Sequence, residues 1–441
     1  MAFAPAQIQT GYPARTRTDY RAMSIATALF FMWGFLTCMN DILIPHLKAI
    51  FELSYAQAML VQTAFFSSYF VFALPSGKVV EWRGYKQAMA IGLSVMALGA
   101  LLFLPASAMA SFGVFLTALV VLAAGITLLQ VAANPYVTAL GPQETASSRL
   151  NLAQAFNSLG TTLAPFFGSA LILAGAPAAL SSDKMHSLSA AALQQYRMMQ
   201  AGSVRLPYLG LGLALILLAI VFAMIKMPPV LNSTSDYRPS DFHKQDSVWH
   251  HPWLVAAAVM IFLYVGAEVT IGSLIVNYLH LPEIGNMSIA TAANYIPYYW
   301  GGQLSGRLVG SWLMQRLNAA VLLGTVGTGA VVLLAISIVS HGPLAMWTIL
   351  GVGLCNSIIF PTVFSLGLVN LGELTSRGSS LIVMAIVGGA IIPLIAGSLA
   401  DHIGLQHSFL LPLACYLAIG VYGFAASRRV IKAEPELPHE A

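Results

Sequence analysis

Two carboxylates stand inside long apolar runs of this chain: Asp41, in FFMWGFLTCMNDILIPHLK (30–48), and Glu268, in VGAEVTIGS (265–273). A charged side chain at the centre of a bilayer costs about 2.5–3.5 kcal/mol on insertion scales, so acids in such places mark ion pathways, proton relays or polar cargo. A carboxylate can take up and release a proton, or hold a cation. Its affinity for either differs between the facing states of a protein with two conformations. Such a group can tie the movement of a cargo to an ion gradient. The alternative at Asp41 is a helix-end residue that reaches interfacial water.

Amide side chains make the second constellation. In LLQVAANPYV, Gln130 and Asn134 are four apart and share one helix face. In RLNLAQAFNSLG, Asn151, Gln154, Asn157 and Ser158 follow one face by three-to-four spacing. Asn40, beside Asp41, and Asn277, Asn294, Gln303 and Asn356 in the second half extend the set, with Trp33, Tyr298, Tyr299 and Trp300 as flat surfaces. Amides that donate and accept, next to aromatic faces, suit a ring of hydroxyls with apolar CH faces, which is a sugar. The same amides can instead hydrogen-bond across helices and hold a membrane bundle together. No fixed cation is expected at mid-span positions, which argues against an anionic cargo such as a sugar phosphate.

Other chemistries lack their residues. The ten histidines are scattered, with no Cys-x-x-Cys or His-x-x-x-His, so no metal site is expected beyond transported Na⁺ near Asp41. A Gly-x-x-x-x-Gly-Lys-Ser/Thr loop is missing, which argues against ATP as the energy source. No Ser/His/Asp set can be nominated, and the chain is not expected to be an enzyme. Cys38, Cys355 and Cys415 fall in hydrophobic runs and read as packed thiols.

These residues must be held by membrane helices. Hydrophobic residues make up 58% of the 441 and charged ones only 8%, a third of the roughly 25% usual in soluble chains. The apolar runs give twelve spans, near 23–50, 58–80, 87–106, 112–140, 150–175, 207–227, 253–280, 288–314, 319–340, 344–372, 377–401 and 406–427. The expected organisation is a six-helix half over 1–227, a polar cytoplasmic linker over 228–252 and a second six-helix half over 253–441. Two sixes joined by a central polar linker is the arrangement of the major facilitator fold, whose halves are parallel repeats. The fold class is therefore all-α membrane with a 6+6 parallel repeat.

Internal matches support the duplication. One shift lays Arg149, Gly160 and Pro165 on Arg377, Gly388 and Pro393; a nearly equal one lays Pro135, Val137, Leu140 and Gly141 on Pro361, Val363, Leu366 and Gly367. Pro135, Pro165, Pro361 and Pro393 invite bends, and Gly388 and Gly389 allow close helix approach. With both termini and the linker in the cytoplasm, only Lys48, Lys184, Arg197 and Arg205 of the twenty Lys/Arg fall on the other face, as the positive-inside rule requires. The net charge of +4 resides in loops and gives no case for nucleic acid.

Between the second and third spans, GKVVEWRGYK resembles the Gly-x-x-x-acid-x-basic-Gly-x-basic signature of major facilitator loops through Gly77, Glu81, Arg83, Gly84 and Lys86. Its charges can pair across helix ends and hold one state of a two-state cycle. A plain solvated loop is the other reading.

FFMWGFLTCMNDILIPHLK, LLQVAANPYVTALG, RLNLAQAFNSLGTTLAP and FPTVFSLGLVNLG resemble the fucose–proton symporter family of the major facilitator superfamily, over nearly all twelve spans. Within it the chain looks closer to the glucose/galactose and N-acetylglucosamine transporters than to the fucose carrier. The resemblance implies that Asp41 stands at an essential first-helix aspartate and that Gln154 and Asn157 stand at fifth-helix polar positions. At Gln130 the fucose carrier has a glutamate implicated in proton transfer, and at Glu268 it has a glutamine, so the proton route does not carry over intact.

The expectation is a multi-pass, monomeric secondary transporter of the bacterial inner membrane, importing a neutral hexose or amino sugar with H⁺ or Na⁺. Asp41 and Glu268 would handle the cation. Trp33, Asn40, Gln130, Asn134, Gln154, Asn157, Glu268, Asn294 and Asn356 would meet the sugar. The rivals are an uncoupled facilitator, a carrier of another polar solute, a membrane enzyme acting on a lipid-linked sugar through Asp41 and Glu268, and a sugar sensor without flux.

Overall fold

The structure is a computed structural model that describes residues 17–51, 55–168, 187–228 and 247–432. Within these stretches the side chains of 39–50, 55–60, 165, 166, 168, 190, 289, 290 and 429–432 lie outside the described residues. All regular structure in the described residues is helical.

In chain order the α-helices are α1 (Tyr20–Phe51), α2 (Tyr55–Met109), α3 (Phe112–Thr138), α4 (Ala146–Gly168), α5 (Ala190–Gly202), α6 (Arg205–Met224), α7 (Pro252–His280), α8 (Ile289–Ala293) and α9 (Ile296–Leu313). They continue as α10 (Ala319–Val339), α11 (Gly342–Asn356), α12 (Ile359–Gly367), α13 (Thr375–Met384), α14 (Gly388–Ile403), α15 (Leu405–Ser408) and α16 (Leu410–Lys432). Nine stretches of the described residues are long and apolar enough to cross a membrane. One of them, Val61–Met109, holds two spans, and α4 and the α8–α9 pair supply those that complete the twelve.

Local chemistry explains the breaks. Helix α2 has 55 residues, which at about 1.5 Å per residue is far longer than a bilayer core. It turns at Gly84, whose φ of 76° and ψ of 166° lie where residues with a Cβ are strained. The eighth span restarts at Ile296 with a proline in the first turn, where a missing N–H does no harm. In the tenth span Pro361 cannot donate to the carbonyl four residues back, that of Ser357, and the helix parts between α11 and α12 around Ser357 and Ile358. Helix α5 falls where the sequence reading placed a connection. Its signal was Ser189, which caps the helix by accepting from the Ala192 N–H at 3.3 Å.

The chain packs as two compact units. One comprises Thr27–Ala133 and Phe156–Pro228; the other comprises Met1–Ala26, Asn134–Ala155 and Pro229–Ala441. In the first, α6 lies along α2 with Tyr208 stacked on Phe103 at 4.0 Å between centroids. Gly160 of α4 sits so close to α1 that a Cβ there would strike the Phe31 carbonyl. In the second, α10 and α16 meet through small residues, a Cβ on Gly327 lying only 2.8 Å from the Gly420 backbone. There Gly388 approaches α7 until a Cβ would strike the Phe262 carbonyl. Gly160 and Gly388 are the residues that the internal repeat pairs, and each meets the first helix of its own six.

Candidate functional site

Glu268 lies on α7, half-buried in an otherwise apolar helix. Its Oε1 accepts from the Tyr264 hydroxyl, one turn back, at 2.7 Å, and also from Gln303 Nε2 of α9. Gln303 Nε2 also donates to the Tyr264 oxygen at 3.3 Å, and the Tyr264 hydroxyl lies 3.0 Å from the Asn356 carbonyl. The Tyr299 hydroxyl donates to the Glu268 backbone carbonyl at 3.4 Å and accepts from Asn356 Nδ2 at 2.7 Å. One carboxylate oxygen is thus held by two donors. The other takes no hydrogen bond among the described residues and is left for a proton, a cation or a cargo hydroxyl.

The first repeat carries a matching arrangement in its own unit. Gln130 Nε2 donates to the Tyr69 hydroxyl at 3.0 Å, with Trp33 beside the same oxygen. The register that places Phe31 on Phe262 places Trp33 on Tyr264, and the one that places Pro135 on Pro361 places Gln130 on Asn356. An amide on the fourth helix of each six donates to a tyrosine on the second. In the first of these registers Glu268 corresponds to Thr37, whose hydroxyl donates to the Trp33 carbonyl at 3.0 Å.

The amide atoms divide into two kinds. Asn157 Nδ2 donates to the Phe30 carbonyl at 3.1 Å, and Asn151 Nδ2 donates to the Arg307 carbonyl at 2.7 Å and to Ser311 Oγ at 3.1 Å. These bonds join helices. Gln130 Oε1, both side-chain atoms of Asn134, Asn151 Oδ1, Gln154 Nε2 and Asn356 Oδ1 are buried with no hydrogen-bond partner among the described residues. Leaving such an atom unsatisfied costs about 1–3 kcal/mol, so a run of them points to a polar ligand that completes them.

One buried cation was missed. Arg307 sits inside α9, 7% exposed, against the expectation that the spans hold no fixed cation. Its Nη1 donates to the Gln154 carbonyl at 3.0 Å and its Nε to the Ser357 carbonyl at 3.3 Å. The Ser357 carbonyl is the one that Pro361 leaves without a helical donor, so the break in the tenth span and the burial of Arg307 support each other. The sequence did carry a signal. Gly302, Gly306 and Gly310 form a small-residue stripe, and a Cβ on Gly306 would come within 2.5 Å of Ser357 Oγ, so this helix face had to be packed.

Arg149, by contrast, has a structural place. It donates from Nη1 to Thr145 Oγ1 at 2.6 Å, from Nε to the Val137 carbonyl at 3.3 Å and from Nη2 to the Thr138 carbonyl, and so caps the end of α3.

The other expected residues are placed as follows. Asn40 and Asp41 lie on α1, but their side chains are outside the described residues. Trp33 is buried, with its ring 5.5 Å from that of Phe30. Asn294 is exposed at the end of α8. Tyr298 is exposed and meets Trp347 edge-on at 5.5 Å, so of the neighbouring aromatics it is Tyr299 that joins the network. In the expected gating loop, Gly77 and Glu81 precede the turn at Gly84, Arg83 stacks on Trp82 at 3.9 Å, and Lys86 Nζ donates to the Ala223 carbonyl of α6 at 2.7 Å. Three or more His, Cys, Asp or Glu grouped to hold a metal ion do not occur among the described residues.

Comparison with known proteins agrees with this architecture. The sequence is 47% identical over 426 residues to the glucose/galactose transporter of Brucella abortus biovar 1 (strain 9-941), covering 96% of this chain and 99% of that one. It is 35% identical over 417 residues to the L-fucose-proton symporter of Escherichia coli strain K12, covering 92% and 93% of the two chains. The crystal structure of the E. coli fucose:proton symporter matches with a TM-score of 0.84 at 33% identity, over 93% of this chain and 99% of that one. Residues 23–387 match the model of one family, and the chain belongs to it: the Major Facilitator Superfamily.

Proposed function

We propose that this chain is a secondary transporter that imports a neutral hexose of the glucose or galactose type, or an amino sugar, together with H⁺ or Na⁺. The observation that carries the reading is the set of buried amide atoms without partners, on Gln130, Asn134, Gln154 and Asn356, together with the open carboxylate oxygen of Glu268. Sugar hydroxyls donate and accept, so they can complete amide oxygens and amide nitrogens alike. Tyr299 is an aromatic face beside Glu268 and Asn356 of the kind a pyranose ring rests on. The names of the similar transporters support the same cargo class.

Asp41 is the coupling group on the first helix, with Glu268 as its partner on the seventh. Gln130 cannot titrate, so it serves the cargo and not the ion. The protein works as a monomer in the bacterial inner membrane with both termini in the cytoplasm. The halves over 1–227 and 253–441, joined by the 228–252 linker, alternate access around a site near mid-membrane. The loop from Gly77 to Lys86 holds one of the two facing states. An uncoupled facilitator or a sensor would have no need of an acid in the membrane.

The test is uptake into proteoliposomes of the purified protein, with imposed H⁺ or Na⁺ gradients and a panel of labelled sugars. The reading predicts gradient-driven accumulation of a neutral hexose or amino sugar. Equilibration without accumulation under both gradients would leave a facilitator, and no flux would leave a sensor.

A further inference from the structure

Ser147, Ser148 and Asn151 are buried on the first turns of α4 and reach across to the second six. Ser148 Oγ donates to the Ser311 carbonyl of α9 at 2.6 Å. Asn151 Nδ2 donates to the Arg307 carbonyl at 2.7 Å and to Ser311 Oγ at 3.1 Å. Ser147 Oγ and Ser365 Oγ of α12 share a bond at 2.6 Å. Ser365 spends its own proton on the Thr362 carbonyl at 3.0 Å, so Ser147 is the donor. Ser311 likewise spends its proton on the Arg307 carbonyl at 2.7 Å and accepts from Asn151. These three α4 side chains therefore donate, and α9 and α12 accept. In the opposite sense, Arg307 Nη1 donates to the Gln154 carbonyl at 3.0 Å and Gln315 Nε2 to Ser148 Oγ at 3.5 Å.

This edge can part without stranding what it leaves. Ser365 Oγ, Ser311 Oγ and the Arg307 carbonyl each keep a bond to their own helix when α4 withdraws. The Ser311 carbonyl lies in the last turn of α9, where carbonyls have no helical donor in any case. The α4 donors are neutral, and such bonds are largely exchanged for bonds to water. With both termini in the cytoplasm, the start of α4 and the ends of α9 and α12 fall on the cytoplasmic side. The fifth span belongs to the first six, and the eighth and tenth belong to the second. Halves that alternate access around a shared site must separate at such an edge once in each cycle.

We propose that Ser147, Ser148 and Asn151 form a cytoplasmic gate, a donor edge that is zipped to α9 and α12 while the pathway is shut on that side and released when it opens. Asn151, which spacing groups with Gln154, serves the gate through its Nδ2.

This rests on the transport reading, and the test separates the two. Ser147→Cys and Ser365→Cys are combined in a chain whose Cys38, Cys355 and Cys415 are replaced by alanine. The 2.6 Å between the two hydroxyls puts the new thiols within reach of a disulfide. Oxidation is expected to lower hexose exchange in proteoliposomes by about tenfold or more, and reduction to restore it, because the crosslink holds the gate shut. A disulfide that forms and leaves exchange unchanged would show a static contact and overturn the proposal, as would thiols that do not join. A second measurement needs no sugar. Ser365→Cys is labelled from the cytoplasmic face with a membrane-impermeant maleimide, with and without Asn151→Ala. Loss of the Asn151 bonds should raise the labelling rate about fivefold or more, since the edge spends more time open. An amide that merely glued helices would lower the unfolding temperature and leave that rate unchanged, which would also overturn the proposal. If Asn151→Ala yields no folded protein, Ser148→Ala is read in the same way. Where the parent chain exchanges none of the sugars offered, the transport reading fails, and the labelling still judges the gate.

Discussion

Asn356 donates from Nδ2 to the Tyr299 hydroxyl at 2.7 Å, and the bond leaves its Oδ1 buried with no donor among the described residues. The amide is fixed in place while half its capacity stays open. Gln130 on Tyr69 repeats the arrangement in the first repeat. A side chain oriented by one bond and open at the other end suits a ligand that comes and goes.

Asn356→Ala and Gln154→Ala are therefore expected to weaken sugar binding by about tenfold or more, the 1–3 kcal/mol of a lost buried hydrogen bond. Equilibrium exchange at varied sugar concentration measures it. Asn157→Ala should behave differently. Its Nδ2 joins α4 to the Phe30 carbonyl, so the change should lower the unfolding temperature and leave affinity near wild type.

Much of this was legible in advance. Long apolar runs set the spans, because a bilayer fixes the length of a crossing helix. The pairing of Gly160 with Gly388 was legible because close backbone approach admits no Cβ, and each glycine does meet its own α1 or α7 carbonyl. The place of Arg307 was not. A cation near the end of a span is counted with the loops, and only the rotation of α9 and the carbonyl freed by Pro361 turn it inward. Nor could spacing separate Asn157 from Gln154, since binding an aligned carbonyl or staying open depends on the neighbouring helix.

Gly388→Ala places a methyl group against the Phe262 carbonyl with no flexible side chain to yield. It should destabilise the protein by about 1–3 kcal/mol, as overpacking does. Gly84→Ala meets open space but must hold φ near 76°, at a cost of about 1 kcal/mol from backbone strain alone. Thermal unfolding of the two variants should rank Gly388→Ala as the more damaging.

Pro361→Ala supplies the N–H that the Ser357 carbonyl lacks and competes with Arg307 for it. A more continuous tenth span is expected, with an unfolding temperature raised by a few degrees, roughly the gain from removing a helix-breaking proline. Sugar exchange should slow, because the break that Arg307 bridges would be partly healed. A variant that exchanges as fast as wild type would detach the break from the transport cycle.

The central claim is that a carboxylate within the membrane exchanges its ion as access alternates. Its most direct test is Asp41→Asn in proteoliposomes, read for uphill uptake of labelled hexose under an imposed H⁺ or Na⁺ gradient and for counterflow without one. The account predicts that uphill uptake is lost while counterflow persists. A variant that still concentrates sugar against its own gradient would contradict it.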